Sequence, residues 1–117
     1  MKITTKSHKK WPSFMQRSSL QGYLDVPYGV WVKLFGEPTV ETDKYKTDAE
    51  WDVSFYDEDG ERIGFATIYN YKDGKNYLGA NGLNVEQIRD WHIGGKSRAD
   101  SIHLLESYID QELNVPA

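Results

Sequence analysis

The sequence D-W-H-I-G-G-K-S, from Asp90 to Ser97, combines residue types that can do chemistry. A phosphate-binding P-loop requires a glycine five residues before its Gly-Lys pair, and Asp90 occupies that position here. We therefore exclude a P-loop and predict that Gly94 and Gly95 form a turn, with Ser97 capping the helix that follows. A generic anion site remains open, because free amides and Lys96 at a helix N-terminus attract negative charge.

His92 has the residue type of a general base, and Asp90 is a candidate partner to orient its ring. Residues two apart on a strand share a face, but no nucleophile is indicated beside them. A metal site would require His92, His103 and carboxylates to converge from separate elements, which is a weak signal. We therefore predict a structural histidine, no catalytic residues, no metal and no cofactor.

Aromatic residues are the most unusual feature, with eight tyrosines, four tryptophans and four phenylalanines in 117 residues. The segment I-Y-N-Y-K-D-G-K-N-Y-L-G, residues 68–79, interleaves rings with lysine and asparagine. This composition is typical of protein recognition surfaces, although the same rings could stack on a nucleobase or simply cover the sheet edge. The predicted partner- or ligand-binding residues are Tyr69, Tyr71, Lys72, Lys75, Asn76, Tyr77, Trp91, His92, Gly94, Gly95 and Lys96.

Charge is unevenly distributed along the chain. Residues 1–17 contain five basic residues and no acid, whereas residues 37–61 contain ten acids and two lysines. The acidic segment would repel a polyanion, so nucleic acid is disfavoured as a partner. No apolar stretch is long enough for a membrane span, the N-terminus has no apolar signal region, and there is no cysteine. These features predict a cytoplasmic protein without disulfides.

Hydrophobic periodicity predicts a small number of elements. The predicted elements are a strand over 18–26, a helix over 27–35, a hairpin of strands over 50–56 and 63–71, an exposed loop over 72–82, an extended run over 88–93 and a helix over 97–113. The predicted core comprises Leu34, Trp51, Val53, Phe55, Ile68, Ile102, Leu105 and Ile109. The order β-α-β-β-β-α favours an α+β fold with one antiparallel sheet of about four strands covered by two helices. We predict a flexible basic N-terminal arm over 1–17 and a single domain over 18–117.

Several stretches together resemble a family of small proteins encoded by tailed bacteriophages. They are S-L-Q-G-Y (19–23), Y-G (28–29), L-F-G-E-P-T (34–39), K-Y-K-T-D-A-E-W (44–51), A-T-I-Y-N-Y-K-D-G-K-N-Y-L-G (66–79) and D-W-H-I-G-G-K (90–96). The chain departs from this pattern in its basic N-terminus and in Trp31. The resemblance implies an accessory phage protein acting in the cytoplasm of the infected bacterium, in the class that includes inhibitors of host defence such as anti-CRISPR proteins. Locally, F-G-E-P, an acidic loop and a tryptophan strand also resemble the repeat unit of β-lactamase inhibitor proteins and of small outer-membrane assembly lipoproteins.

The combined expectation is a non-enzymatic binding protein that occupies a host protein through its aromatic sheet face and the flanking acidic loop. The alternative is a protein that binds or sequesters a nucleotide or another phosphate-bearing ligand at residues 94–97, with a nearby tyrosine stacked on the base. The sequence indicates neither the identity of the partner nor the oligomeric state.

Overall fold

One five-stranded antiparallel sheet organises the computed structural model, which describes residues 2–38 and 46–113. The strands are β1 (Thr4–His8), β2 (Ser19–Asp25), β3 (Glu50–Tyr56), β4 (Arg62–Tyr69) and β5 (Asp90–Gly95), and the helices are α1 (Tyr28–Phe35), α2 (Lys75–Leu78) and α3 (Ile102–Leu113). The spatial order of the strands is β1-β3-β4-β5-β2. The α+β class with one antiparallel sheet is therefore confirmed. No helix in these two ranges is long and apolar enough to cross a membrane.

The strand count and the element order differ from the prediction because an additional strand precedes all the others. β1 pairs with β3 from Thr4 opposite Tyr56 to His8 opposite Asp52. Only 3% of the surface of Ile3 is exposed. The structure thus places this segment in the sheet, where the sequence predicted a flexible arm. Its lysines gave it the character of a solvated tail, but lysine is also common on edge strands, where it discourages pairing with another chain.

The hydrophobic core lies on the face of the sheet that carries α1 and α3. Alternation along β3 points Trp51, Val53 and Phe55 towards these helices, and none of the three is more than 1% exposed. The other predicted core residues Ile68, Ile102 and Leu105 are buried, whereas Leu34 and Ile109 are partly buried at the edge. The core also contains residues outside the prediction, namely Ile3, Trp31, Phe35, Ala49, Ala66, Ile88, Trp91, Ile93 and Tyr108.

The predicted ends of α1 are confirmed by the backbone. Pro27 directly precedes the helix, where its missing N–H costs no helical hydrogen bond. At the other end Gly36 has a φ of 81°, and its N–H donates to the carbonyl oxygen of Val32 at 2.8 Å. Glycine adopts a positive φ without steric cost, so the chain can leave the helix at this residue.

Helix α3 begins at Ile102, five residues later than predicted. Ser97 does accept a hydrogen bond from the Asp100 N–H at 3.1 Å, but it does so in the turn that precedes the helix. Gly94 and Gly95 are paired residues of β5 and do not form the predicted turn. A methyl group on Gly95 would lie 2.5 Å from the Ser101 Cβ, so glycine allows this turn to pack directly on the strand.

Candidate binding site

The face of the sheet opposite α1 and α3 is only partly covered. The segment between β1 and β2 crosses it, where the Phe14 ring contacts His8 and Phe65 with centroids 5.9 and 6.0 Å away. Met15 is fully buried. Towards β5 and β2 the cover ends, and Tyr23 is 57% exposed. This half of the face is where side chains from several strands remain accessible.

A cavity of about 310 Å³ opens at the boundary between the covered and the open half. It is lined by Trp11, Ser18, Ser19, Leu20, Thr47, Glu50, Thr67, Tyr69, Tyr71 and Gly94. Leu20 lies opposite Gly94 across β2 and β5, and Gly94 lies opposite Thr67 across β5 and β4. The sheet register therefore fixes the back wall of the cavity.

Aromatic rings continue outward from the cavity across β4, β5 and β2. His92 lies opposite Tyr23 on one neighbouring strand and opposite Tyr69 on the other. Its ring centroid is 4.8 Å from that of Tyr23, 5.4 Å from that of Tyr69 and 5.6 Å from that of Tyr71. We call the set Trp11, Leu20, Tyr23, Tyr69, Tyr71, Tyr77 and His92 the aromatic surface.

Lys72 connects the Tyr77 ring to the rest of the aromatic surface. Its ammonium lies 5.1 Å from the Tyr71 ring centroid and 5.3 Å from that of Tyr77, which is within the range of a cation–π interaction. Lys72 itself has a φ of 62°, so the chain turns sharply at this position. The lysine thus bridges two rings of the aromatic surface.

Two carboxyl groups form the floor of the cavity and the layer beneath it. Glu50 is 9% exposed, and its Oε2 accepts a hydrogen bond from the Trp11 Nε1–H at 3.0 Å. Asp52, two residues along β3 on the same face, is fully buried. Neither of its carboxyl oxygens has a hydrogen-bond partner with good geometry among the described residues. The cavity is therefore acidic at its base.

The environment of Asp52 keeps its carboxyl group protonated at neutral pH. Its pKa is raised to about 9, mostly by burial and also by the nearby Glu50 side chain and its negative charge. The Trp11 indole acts in the opposite direction. Burial also raises the pKa of Tyr69, with additional contributions from Glu50, Tyr23 and Tyr71, so its hydroxyl remains a hydrogen-bond donor.

The segment after β4 is held by a fully buried asparagine. The Asn70 Oδ1 accepts hydrogen bonds from the N–H groups of Asp48 at 2.7 Å and Ala49 at 3.1 Å. Its Nδ2 donates to Oδ1 of Asp48 at 2.9 Å and of Asp73 at 3.0 Å. All four hydrogen-bonding positions of this amide are used. Asn70 thereby fixes the chain between Tyr69 and Tyr71, two rings of the site.

A serine–histidine pair also occurs on this face, away from the cavity. The His8 Nε2 lies 2.7 Å from the Ser54 Oγ, which in turn lies 2.9 Å from the Tyr56 hydroxyl. Burial lowers the His8 pKa, as do the charges of Lys6 and Arg62. Ser54 is fully buried, so a substrate cannot reach its oxygen. The pair serves to join β1 to β3.

Several residues that the sequence predicted for the site lie together in the structure. Tyr69, Tyr71 and Gly94 line the cavity, and His92 contacts two of its rings. Tyr77 adjoins them through Lys72. Lys75 is exposed on α2, and the Asn76 Nδ2 is used within the chain as a donor to the Thr47 carbonyl oxygen at 3.0 Å. Whether these residues bind a partner remains a prediction.

Three predicted residues lie elsewhere. Trp91 is fully buried on the helix-bearing face, where its Nε1–H donates to the Val26 carbonyl oxygen at 2.8 Å. Gly95 also faces that side. Lys96 lines a separate cavity of about 230 Å³ that it shares with Arg62 and Asp100. Strand alternation separates Trp91 and Gly95 from His92 and Gly94, because neighbouring positions of β5 point to opposite faces. Lys96 lies beyond the last residue of β5.

The sequence reasoning missed Trp11, Leu20, Tyr23, Glu50 and Asp52. Two of them carried a readable signal, since the alternation E-W-D-V-S-F-Y that buries Trp51 also places Glu50 and Asp52 together on the opposite face. Trp11 carried no such signal, because it reaches Glu50 across 39 positions of sequence.

Within residues 2–38 and 46–113, no group of three or more histidine or acidic residues is placed to hold a metal ion. A comparison with known proteins finds no matching family model, no similar curated protein and no similar solved structure.

Proposed function

We propose that this chain is a non-enzymatic protein that binds a protein partner through its aromatic surface. In line with the resemblance to tailed-phage proteins, the partner is a protein of the infected bacterium, and binding inhibits that protein. A component of host defence, as for anti-CRISPR inhibitors, is the class of target that the resemblance favours. The binding would then take place in the bacterial cytoplasm.

The observation that carries this proposal is a continuous exposed surface of rings around an existing cavity. Tyr23 is 57% exposed, Leu20 46% and Trp11 44%, and all three belong to the same face. Large apolar residues scattered singly are normal on a protein surface, whereas a contiguous set indicates an interaction site. Tyrosine and tryptophan are also the residue types that most often dominate binding energy at interfaces.

The rigidity of this surface supports the same function. Tyr23, Tyr69 and His92 project from paired strands, and the buried amide of Asn70 holds the chain next to Tyr71. Side chains held in place before binding lose little conformational freedom when a partner docks. The surface is therefore suited to recognition by shape.

Geometry gives less support to the phosphate-binding alternative at residues 94–97. Gly94 and Gly95 are paired within the sheet, and the first residue of α3 is Ile102. The amides of a helix N-terminus are therefore not at the glycines. Lys96 and Arg62 do share a cavity, but Asp100 lines it as well and offsets part of their charge.

Variant-dependent capture from a bacterial lysate tests the proposed function. The immobilised chain is compared with a Tyr23→Ser, Tyr71→Ser double variant and with His103→Ala, which alters an exposed ring on α3 at the opposite side of the molecule. We expect a protein that is captured by the parent and by the His103 variant but not by the double variant. Equal capture by all three, with thermal unfolding unchanged, would refute the proposal.

A further inference from the structure

We infer that the cavity beside β4 receives the side-chain cation of a lysine or arginine presented by the partner protein. This inference rests on the proposed function and specifies its chemistry. The rings of Trp11, Tyr69 and Tyr71 would form the walls around the cation, and the carboxylate of Glu50 would form the floor.

The ring-lined walls suit a cation with an apolar stem. Aromatic faces attract ammonium and guanidinium groups, and tryptophan and tyrosine do so most strongly. The molecule already contains three such contacts, two of them at rings of the aromatic surface. Lys72 lies over Tyr71 and Tyr77, and the Arg62 guanidinium lies 3.6 Å from the Phe14 ring centroid. A cation that entered the cavity would make the same kind of cation–π contact with its rings.

The floor supplies the opposite charge. The Glu50 carboxylate is largely removed from water and is oriented by the Trp11 indole, so its attraction for a cation is weakly screened. Asp52 lies two residues further along the same face, with both carboxyl oxygens lacking a hydrogen-bond partner in the described part of the chain. Its cross-strand neighbour Thr67 lines the cavity. The base of the site thus carries the Glu50 carboxylate, with the buried Asp52 carboxyl group beneath it.

The lining favours a cation over an anion or a nucleotide. None of the described residues that line the cavity is a lysine, arginine or histidine, whereas Glu50 is acidic. A phosphate brought here would be repelled by that charge. The hydroxyl groups of Ser18, Ser19 and Thr47 provide further acceptors for N–H donors. A lysine or arginine side chain matches both features, because its stem is apolar and its head is a multiple donor.

Titration with single-residue probes tests this inference. The probes are N-acetyl-lysine-N-methylamide and N-acetyl-arginine-N-methylamide, with the neutral N-acetyl-norleucine-N-methylamide as control. The readout is the NMR signal of the Trp11 indole N–H, assigned through Trp11→Phe. We expect a saturable shift with at least one cationic probe and at least tenfold weaker binding of the norleucine probe.

Variants locate the binding within the cavity. Glu50→Gln should weaken binding of the cationic probe at least tenfold, whereas Glu106→Gln, at an exposed position of α3, should leave it unchanged. Because Glu50 is buried, its variant is first checked for folding. Tyr71→Leu, at a 40% exposed position, should weaken binding at least threefold without that risk.

The outcomes separate this inference from the proposed function. Equal affinity for the norleucine probe would overturn the cation site, as would the absence of a shift with both cationic probes. If the lysate partner is lost in the Tyr23, Tyr71 double variant but retained by Glu50→Gln, and no cationic probe binds, the proposed function stands and the cation site is refuted. If no protein is captured at all while a cationic probe binds, the chemistry of the cavity stands and the protein partner is refuted.

Discussion

Replacing Asp52 with asparagine should stabilise the protein at neutral pH. Asparagine has nearly the same shape as protonated aspartate, and its amide N–H replaces the carboxyl O–H as a donor. The aspartate, by contrast, must hold a proton in the folded state that it releases when the chain unfolds. Its pKa rises from 3.8 to about 9 on folding, so the folded chain binds one more proton than the unfolded chain between those values. Folding stability from this group is therefore present at low pH and is lost as pH rises.

The size of the effect follows from the proton equilibrium. Each pH unit between about 4 and 9 costs about 1.4 kcal/mol, because one pKa unit corresponds to that free energy. At pH 7 the accumulated loss is up to about 4 kcal/mol, and Asp52→Asn removes it. The variant and the parent should have similar stability near pH 4. The gap between them should then widen steadily up to pH 8.5.

Urea unfolding at pH 4, 5.5, 7 and 8.5 measures this difference. Asp90→Asn serves as the matched control, since it makes the same substitution at an exposed position of β5, two strands away in the sheet. Its free energy of unfolding should stay within about 0.5 kcal/mol of the parent at every pH. A difference between Asp52→Asn and the parent that does not change with pH would refute the reasoning. So would a loss of stability by the variant at pH 7.

Three further substitutions test the fold. Ile3→Ala should cost about 2–4 kcal/mol in chemical denaturation, because it empties a core position directly before the edge strand β1. An unchanged midpoint would show that this anchor of β1 is dispensable. Asn70→Ala should cost about 2 kcal/mol or more, since it leaves buried donors without an acceptor, and a smaller loss would mean that water replaces the amide. Gly95→Ala should lower the melting temperature by displacing Ser101, whereas Gly29→Ala, with open space around its position, should not, and equal effects would contradict the close approach.

The elements that could be predicted from the sequence are those whose cause is local. The hairpin of β3 and β4 follows from alternation around the turn at Gly60, which has a φ of 80°. The helix α1 follows from Pro27 and Gly36, which mark its two ends within the chain itself. Asn84 and Gln87 form a capping interaction of equally local origin before β5, with the Gln87 Oε1 accepting from the Asn84 N–H at 3.0 Å.

The elements that could not be predicted depend on distant pairing. β1 has little apolar periodicity, and its place in the sheet is decided by β3, some 46 positions further along. Trp91 and His92 are neighbours in sequence, but which of them faces the core is set by the register with β4 and β2. Periodicity shows that residues alternate, whereas only the sheet order shows which side is covered. The cavity could not be predicted from the sequence for the same reason, because the residues that line it come from separate parts of the chain.

The position of β1 at the edge of the sheet makes the cavity sensitive to local opening of this strand. Among the described strands, β1 is paired on one side alone, so its amides should exchange with solvent deuterium through local opening at less than the global free energy of unfolding. Trp11 follows this strand by three residues, so each opening event would loosen its indole from Glu50 and remove one wall of the cavity. Occupancy of the cavity and protection of the β1 amides would then be thermodynamically linked. A ligand at the site would slow deuterium uptake at a strand that it does not touch.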